Sequence, residues 1–151
     1  MWTPRSLTQL ARSDIAWRTL TDSHVRLYRL TGGRIGGRVR GVDIALVDHV
    51  GRKSGKRRTT PLLYLADGED LVIVASKGGA ARHPLWWLNL QAHPETTVQV
   101  GGERWRVRAR EASDSEWERL WSRLVEVWPD YAAYQRRTER RIPVGILEPL
   151  A

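Results

Sequence analysis

Between two apolar, strand-like runs lies Gly51–Thr60, GRKSGKRRTT, with five cations and two glycines in ten residues. Arg52, Lys53, Lys56, Arg57 and Arg58 suit charge-assisted bonds to a phosphate or carboxylate, each worth roughly 1.5–3 kcal/mol when sheltered from water. The glycines let the main chain approach such an anion closely. The competing reading is a solvated hairpin whose charges only keep the protein soluble. A Walker loop is excluded, because it needs a lysine–hydroxyl pair directly after its second glycine and a helix next, whereas a strand follows here.

A second anion-friendly element is ASKGGAARHPLWWLNL, which combines a strand end, the pair Gly78-Gly79, two cations and the start of a helix. Trp86 and Trp87 are adjacent and cannot both enter one core, which leaves one free to stack on a planar ring or to pack between helix and barrel. His83 has the chemistry of a general acid or a ligand, but the chain's four histidines lie at no metal-like spacing, and no metal site is expected. Tyr131 and Tyr134, three apart in DYAAYQRR, share a face if that stretch is helical, and either roof a pocket or finish the core. Trp117 and Trp121 read as core; Trp128 stands just before Pro129, where the helix must break.

Composition narrows the chemistry. The formal net charge of +8 favours an anionic partner such as a phosphorylated cofactor, nucleic acid or a membrane surface. There is no cysteine, which excludes disulfides, thiolate nucleophiles, iron–sulfur clusters and cysteine zinc sites, so any redox chemistry needs a borrowed cofactor. The N-terminal run is interrupted by Arg5, Arg12 and Asp14 and lacks the apolar core of a signal peptide. With no apolar run long enough to span a bilayer, the expectation is a cytoplasmic protein, and 151 residues suit one domain. The basic N-terminal helix permits loose attachment to the inner face of a membrane.

The elements that must position these residues follow from periodicity. Residues about 14–30 suggest a helix capped by Ser13 or Asp14. TGGRIGGRVRG, with five glycines in eleven residues, reads as loop. Val42, Ile44 and Leu46 alternate with Asp43, Ala45 and Val47 as a strand. Thr59–Leu65 and Leu71–Ser76 flank Asp67-Gly68 as a hairpin, whose second strand is apolar on both faces. Pro84 opens a short helix to about Ala92, and a strand begins near Thr96. Gly101-Gly102 joins it to ERWRVRAR, where Trp105, Val107 and Ala109 alternate with Arg104, Arg106, Arg108 and Arg110, so one face is apolar and the other cationic and water-facing. Ser113 and Glu116 form a capping box for a helix with a wide apolar face, and IPVGILEP is a last strand. The class is α+β, an antiparallel barrel or sheet decorated by helices.

Three blocks, GRKSGKRRTTPLLYL, ASKGGAARHPLWWLNLQAHPETTVQVGG and WPDYAAYQRRTERRIPVGILEP, in this order and spacing closely resemble the family of deazaflavin-dependent nitroreductases and quinone reductases. The resemblance covers about residues 24–149; residues 1–23 fall outside it. It implies a split β-barrel of the FMN-binding type, a Greek-key barrel with flanking helices, holding coenzyme F420, a deazaflavin with a phosphate and an oligoglutamate tail. By the same resemblance Lys53, Ser54, Gly55, Lys56, Arg57, Arg58 and Thr59 hold the phosphate and tail, with Arg52 and Pro61 close by. Ser76, Lys77, Gly78 and Gly79 run beside the ring, and Trp86, Trp87, Leu88, Asn89 and Leu90 complete the groove. Ser76, Tyr131 and Tyr134 are the implied catalytic positions, and Trp128, Tyr131 and Tyr134 the acceptor pocket. Trp128 replaces the tyrosine of a relative with nitroreductase activity, which speaks against nitroimidazole reduction and leaves quinone reduction open.

The implied reaction is hydride transfer from reduced deazaflavin to a quinone, nitroarene or activated enone by a monomer or homodimer. Two other classes compete: a nucleic-acid-binding barrel, suggested by the charge and the arginine strand, and a split barrel that holds FMN, another flavin, haem or no cofactor without this activity.

Overall fold

The computed structural model describes residues 7–151, with side chains from Thr19 onward. Helix α1 (Leu7–Thr31) leads into strands β1 (Arg38–Val39), β2 (Val42–Val50), β3 (Arg57–Leu63), β4 (Leu65–Asp67) and β5 (Asp70–Val74). A 3-10 turn (Lys77–Gly79), α2 (Leu85–Ala92), β6 (Glu95–Val100) and β7 (Glu103–Glu111) follow, then α3 (Asp114–Val127), α4 (Asp130–Arg136) and β8 (Val144–Pro149). Every strand pairing is antiparallel, in the order β1-β2-β6-β7-β8-β5-β4, with β3 also paired to β2, opposite β6. The sheet curls into a half-barrel with helices against it, the α+β split-barrel architecture.

Strands β5 and β2 are buried on both faces because each separates two cores. In β5, Leu71 and Ile73 join Val98, Val107 and Leu147 inside the curl, while Val72 and Val74 join Leu120, Leu124 and Ile146 under α3. In β2, Ala45 and Val47 face the first of these cores, and Ile44 and Leu46 pack under Val25 and Tyr28 of α1. The Tyr28 hydroxyl pins that helix to the sheet: it donates to the Ile44 carbonyl at 2.9 Å and accepts the Gly101 N–H at 2.8 Å. The strand expected from Val42 to Val47 forms as β2, and α1 covers its second face.

Other expectations are corrected at the level of pairing. Helix α1 starts at Leu7, so Ser13 and Asp14 lie within it and cannot cap it; their side chains fall outside the described residues. The glycine-rich segment is not all loop, because Arg38 and Val39 pair with Asp43 and Val42. The run 59–65 breaks at Tyr64: β3 pairs with β2, whereas β4 turns at Gly68, φ 62°, to pair with β5. Pro84 is the N-cap of α2 rather than part of its first turn, with extended backbone. Both the capping box of α3 and the hairpin at Gly101-Gly102 form as the sequence predicts. DYAAYQRR is helical, as α4. No helix among the described residues is long and apolar enough to cross a membrane.

Candidate functional site

The β2–β3 hairpin turns within Gly51–Lys56, closed by Gly51 N–H to the Lys56 carbonyl at 2.9 Å and Gly55 N–H to the Gly51 carbonyl at 2.8 Å. Arg52, Lys53, Ser54, Gly55, Lys56, Arg57 and Arg58 are all exposed, and none of the five cations forms an ion pair among the described residues. The arginines of β7 behave differently. Arg104 pairs with Asp48 at 3.7 Å, Arg108 with Glu95 at 3.3 Å, and Arg110 with Glu116 and Glu148 at 2.8 and 2.9 Å. The cationic face expected on that strand is thus largely neutralised by acids from neighbouring elements, whereas the hairpin's cations stay unpaired.

A buried relay ties the hairpin to α2. Asn89 Oδ1 accepts the Arg52 N–H at 3.1 Å, so its Nδ2 is the donor toward His49 Nδ1 at 3.0 Å. His49 Nε2 then donates to Thr60 Oγ1 at 2.8 Å. Burial, with help from the Arg58 charge, lowers the His49 pKa from 6.5 to about 4, and Asp48 offsets this only in part, so the ring is neutral in the tautomer the bonds require. The Thr59 hydroxyl is also committed inward, donating to Asp48 Oδ1 at 2.6 Å, while Pro61 lies half-buried in β3.

The turn after β5 is held from the opposite side. Lys77, Gly78 and Gly79 have φ of 45°, 62° and 81°, three successive left-handed residues. A Cβ on Gly79 would overlap the Tyr134 carbonyl oxygen of α4, so only glycine lets helix and turn approach this closely. Arg140 staples the same turn, donating to the carbonyls of Ser76 and Ala80, each at 2.8 Å, and of Ala75 at 3.3 Å, and approaching His83 Nδ1 at 3.0 Å. Desolvation lowers the pKa of Arg140, and desolvation followed by the Arg140 charge lowers that of His83; because a guanidinium can only donate, His83 Nδ1 is the acceptor here.

The Lys77–Gly79 turn, which follows Ser76, is therefore brought against Tyr134, whose ring meets that of Tyr131 edge-on at 6.2 Å. Tyr131 is buried, its pKa is raised by desolvation and by Tyr134, and its hydroxyl has no hydrogen-bond partner among the described residues. Tyr131 and Trp128 line a narrow crevice, too tight for a water molecule as it stands, with Val42, Leu63, Tyr64, Leu124 and Val127. In α2, Trp87 and Leu90 are core, whereas Trp86 is half-buried and meets the Trp87 ring edge-on at 6.2 Å; Leu88 is half-buried too. Among the described residues no cluster of acids and histidines could hold a metal ion.

His49, Arg140 and Arg40 were not singled out from sequence. His49 had one signal, a histidine in a strand directly before the cationic turn; Arg140 and Arg40 had none, since their partners lie about 60 and 90 residues away.

The sequence matches a family model described as F420H(2)-dependent quinone reductase over residues 20–149. A Mycobacterium tuberculosis protein named F420H(2)-dependent quinone reductase is 43% identical over 128 residues, 82% of this chain and 86% of that one. A solved structure of an F420-H2 dependent reductase is 42% identical, with a TM-score of 0.64, covering 70% of this chain and 93% of its own. Another, described as a domain-swapped dimer, is 35% identical with a TM-score of 0.65, covering 95% of this chain and all of that one. An α+β half-barrel with an unpaired cationic hairpin, matched along most of its length, identifies the chain as a member of the F420H(2)-dependent quinone reductase family.

Proposed function

We propose that this protein is an oxidoreductase that uses reduced coenzyme F420 to reduce a quinone. The observation that carries the reading is the contrast between the two basic elements: the arginines of β7 are mostly paired with acids, and the cations of the hairpin are free. An anion carrying a phosphate and carboxylates fits that donor set, and the close contact of Gly79 with α4 fits a turn that must stay slim. When bound in its reduced form, the cofactor supplies a hydride.

The chain supplies the rest. Lys53, Lys56, Arg57 and Arg58, with Arg52, hold the anionic tail, and Ser54, Gly55 and Thr59 complete the cradle. The Asn89–His49 relay keeps the hairpin in register with α2, whose Trp86–Leu90 stretch forms the groove wall. Ser76–Gly79 flank the ring. Tyr131 stays protonated at neutral pH, so its hydroxyl can donate to an acceptor oxygen gaining negative charge, with Ser76 and Tyr134 as the further candidate donors. Kinship with a domain-swapped dimer supports a homodimer, which light scattering on the purified chain tests.

Purified protein, reduced F420 and menadione are mixed, and the return of the oxidised chromophore is followed. A protein-dependent rate is expected; its absence overturns the reading. Salt-sensitive binding to single-stranded nucleic acid with no cofactor affinity would favour the rival class instead.

A further inference from the structure

Arg40 breaks a local rule. The β1–β2 hairpin pairs Val39 with Val42 across the two-residue turn Arg40-Gly41, whose φ values are 50° and 78°. Two positive values mark the type I′ turn, which takes Asn, Asp or Gly at its first position. Arginine there holds a left-handed backbone that its Cβ disfavours. Among the described residues the two non-glycines at positive φ are Arg40 and Lys77, and Lys77 lies in the turn proposed to flank the ring.

What offsets the strain lies far along the chain. The guanidinium carbon of Arg40 sits 4.3 Å from the ring centroid of Trp128, and Nη1 donates to Asp130 Oδ2 at 3.0 Å. Both ends of that ion pair are well exposed, at 59% and 42%, so it contributes little to stability, and stability is a weak reason for an arginine in this turn. Its other effect is to place a planar cation on Trp128, at the rim of the crevice formed by Val42, Tyr64, Trp128 and Tyr131. Nη1 is committed to Asp130, and neither Nη2 nor Nε has a hydrogen-bond partner among the described residues.

Resting on the function proposed above, we propose that Arg40 is a specificity-determining residue of the acceptor pocket, favouring planar acceptors whose carbonyl oxygens become anionic, as quinones do. Hydride addition delivers two electrons and one hydrogen to the quinone and leaves a hydroquinone monoanion. One proton, from the Tyr131 hydroxyl or water, completes the hydroquinone. The guanidinium at the pocket rim opposes the charge present between these two steps, and its plane, stacked on Trp128, extends the surface against which a flat acceptor rests.

The substitution Arg40→Asn separates this role from a structural one, because asparagine suits a type I′ turn while the guanidinium is removed. Thermal midpoint, oxidised-F420 affinity by fluorescence, menadione affinity by calorimetry and steady-state kinetics are compared with the unsubstituted chain and with Arg40→Lys. In Arg40→Asn, the menadione KM and dissociation constant are expected to rise about fivefold, with F420 affinity and thermal midpoint preserved. Arg40→Lys, which keeps the charge without the plane, should fall between. Unchanged menadione affinity and KM in Arg40→Asn would overturn the proposal, as would a joint fall in thermal midpoint and F420 affinity, the mark of a structural strap. Menadione affinity lost on substitution in a protein whose unsubstituted form shows no turnover would fault the reaction and uphold the pocket.

Discussion

Asn89 and His49 share a buried hydrogen bond of 3.0 Å that joins helix α2 to the strand entering the cationic hairpin. Because the same amide accepts the Arg52 N–H, the first cation of the hairpin is positioned by a side chain of α2. The bond needs a neutral imidazole, which makes the relay sensitive to acid.

The folded-state pKa of His49, about 4, lies below the usual 6.5, so its contribution to stability is complete above about pH 6.5. It is withdrawn as pH falls from there to about 4, by up to about 3 kcal/mol, and nothing further is lost below that from this group. Urea unfolding at a series of pH values should show this slope, and His49→Leu should remove it.

Lys53→Ala and Arg57→Ala should each weaken F420 binding about tenfold while changing kcat by less than about twofold, since both side chains would act on the non-reacting tail. Arg108→Ala, which removes a residue already paired with Glu95, serves as the control and should leave affinity within about twofold. Fluorescence titration reads all three.

Gly79→Ala and Gly78→Ala should differ despite their adjacency. Both positions have positive φ, but only at Gly79 would the new methyl meet the Tyr134 carbonyl and Arg137 Cβ; at Gly78 it meets open space. The expected losses of unfolding free energy are about 1 kcal/mol at Gly78 and about 2–3 kcal/mol at Gly79. Reduced activity should accompany the second, because α4 and the turn would separate.

Glu116→Gln tests a purely structural site. Glu116 accepts the Ser113 N–H at 2.9 Å and a two-pronged bond from Arg110, and Arg110 together with the cap lowers its pKa to about 2. The stability it contributes is full above about pH 4.5 and lost as pH falls through about 2. At neutral pH the substitution should cost about 1 kcal/mol by denaturant unfolding, with F420 affinity unchanged.

Much of the fold was legible locally. The capping box at Ser113, the hairpin turns at Gly68 and Gly101-Gly102, and the apolar period of β7 depend on residues within a few positions of one another, where backbone sterics and side-chain alternation decide the outcome. The three-block pattern was likewise enough to indicate the family. The break at Tyr64 was not legible, because 59–65 is one uninterrupted strand-like run and only the competition of β2 and β5 for partners divides it.

Sequence by itself determined where the cations are; tertiary structure decided which of them are free. The acids Asp48, Glu116 and Glu148 come to the arginines of β7 from a strand, a helix and a strand, and no acid pairs with the hairpin's cations among the described residues. The same holds for His49, neutral because Asn89 reaches it from 40 residues away, and for Arg40, whose strained turn is matched to Trp128 and Asp130 across 90 residues. Local periodicity carries no record of such pairings, since charge and burial depend on what the fold places beside a group and not on what precedes it in the chain.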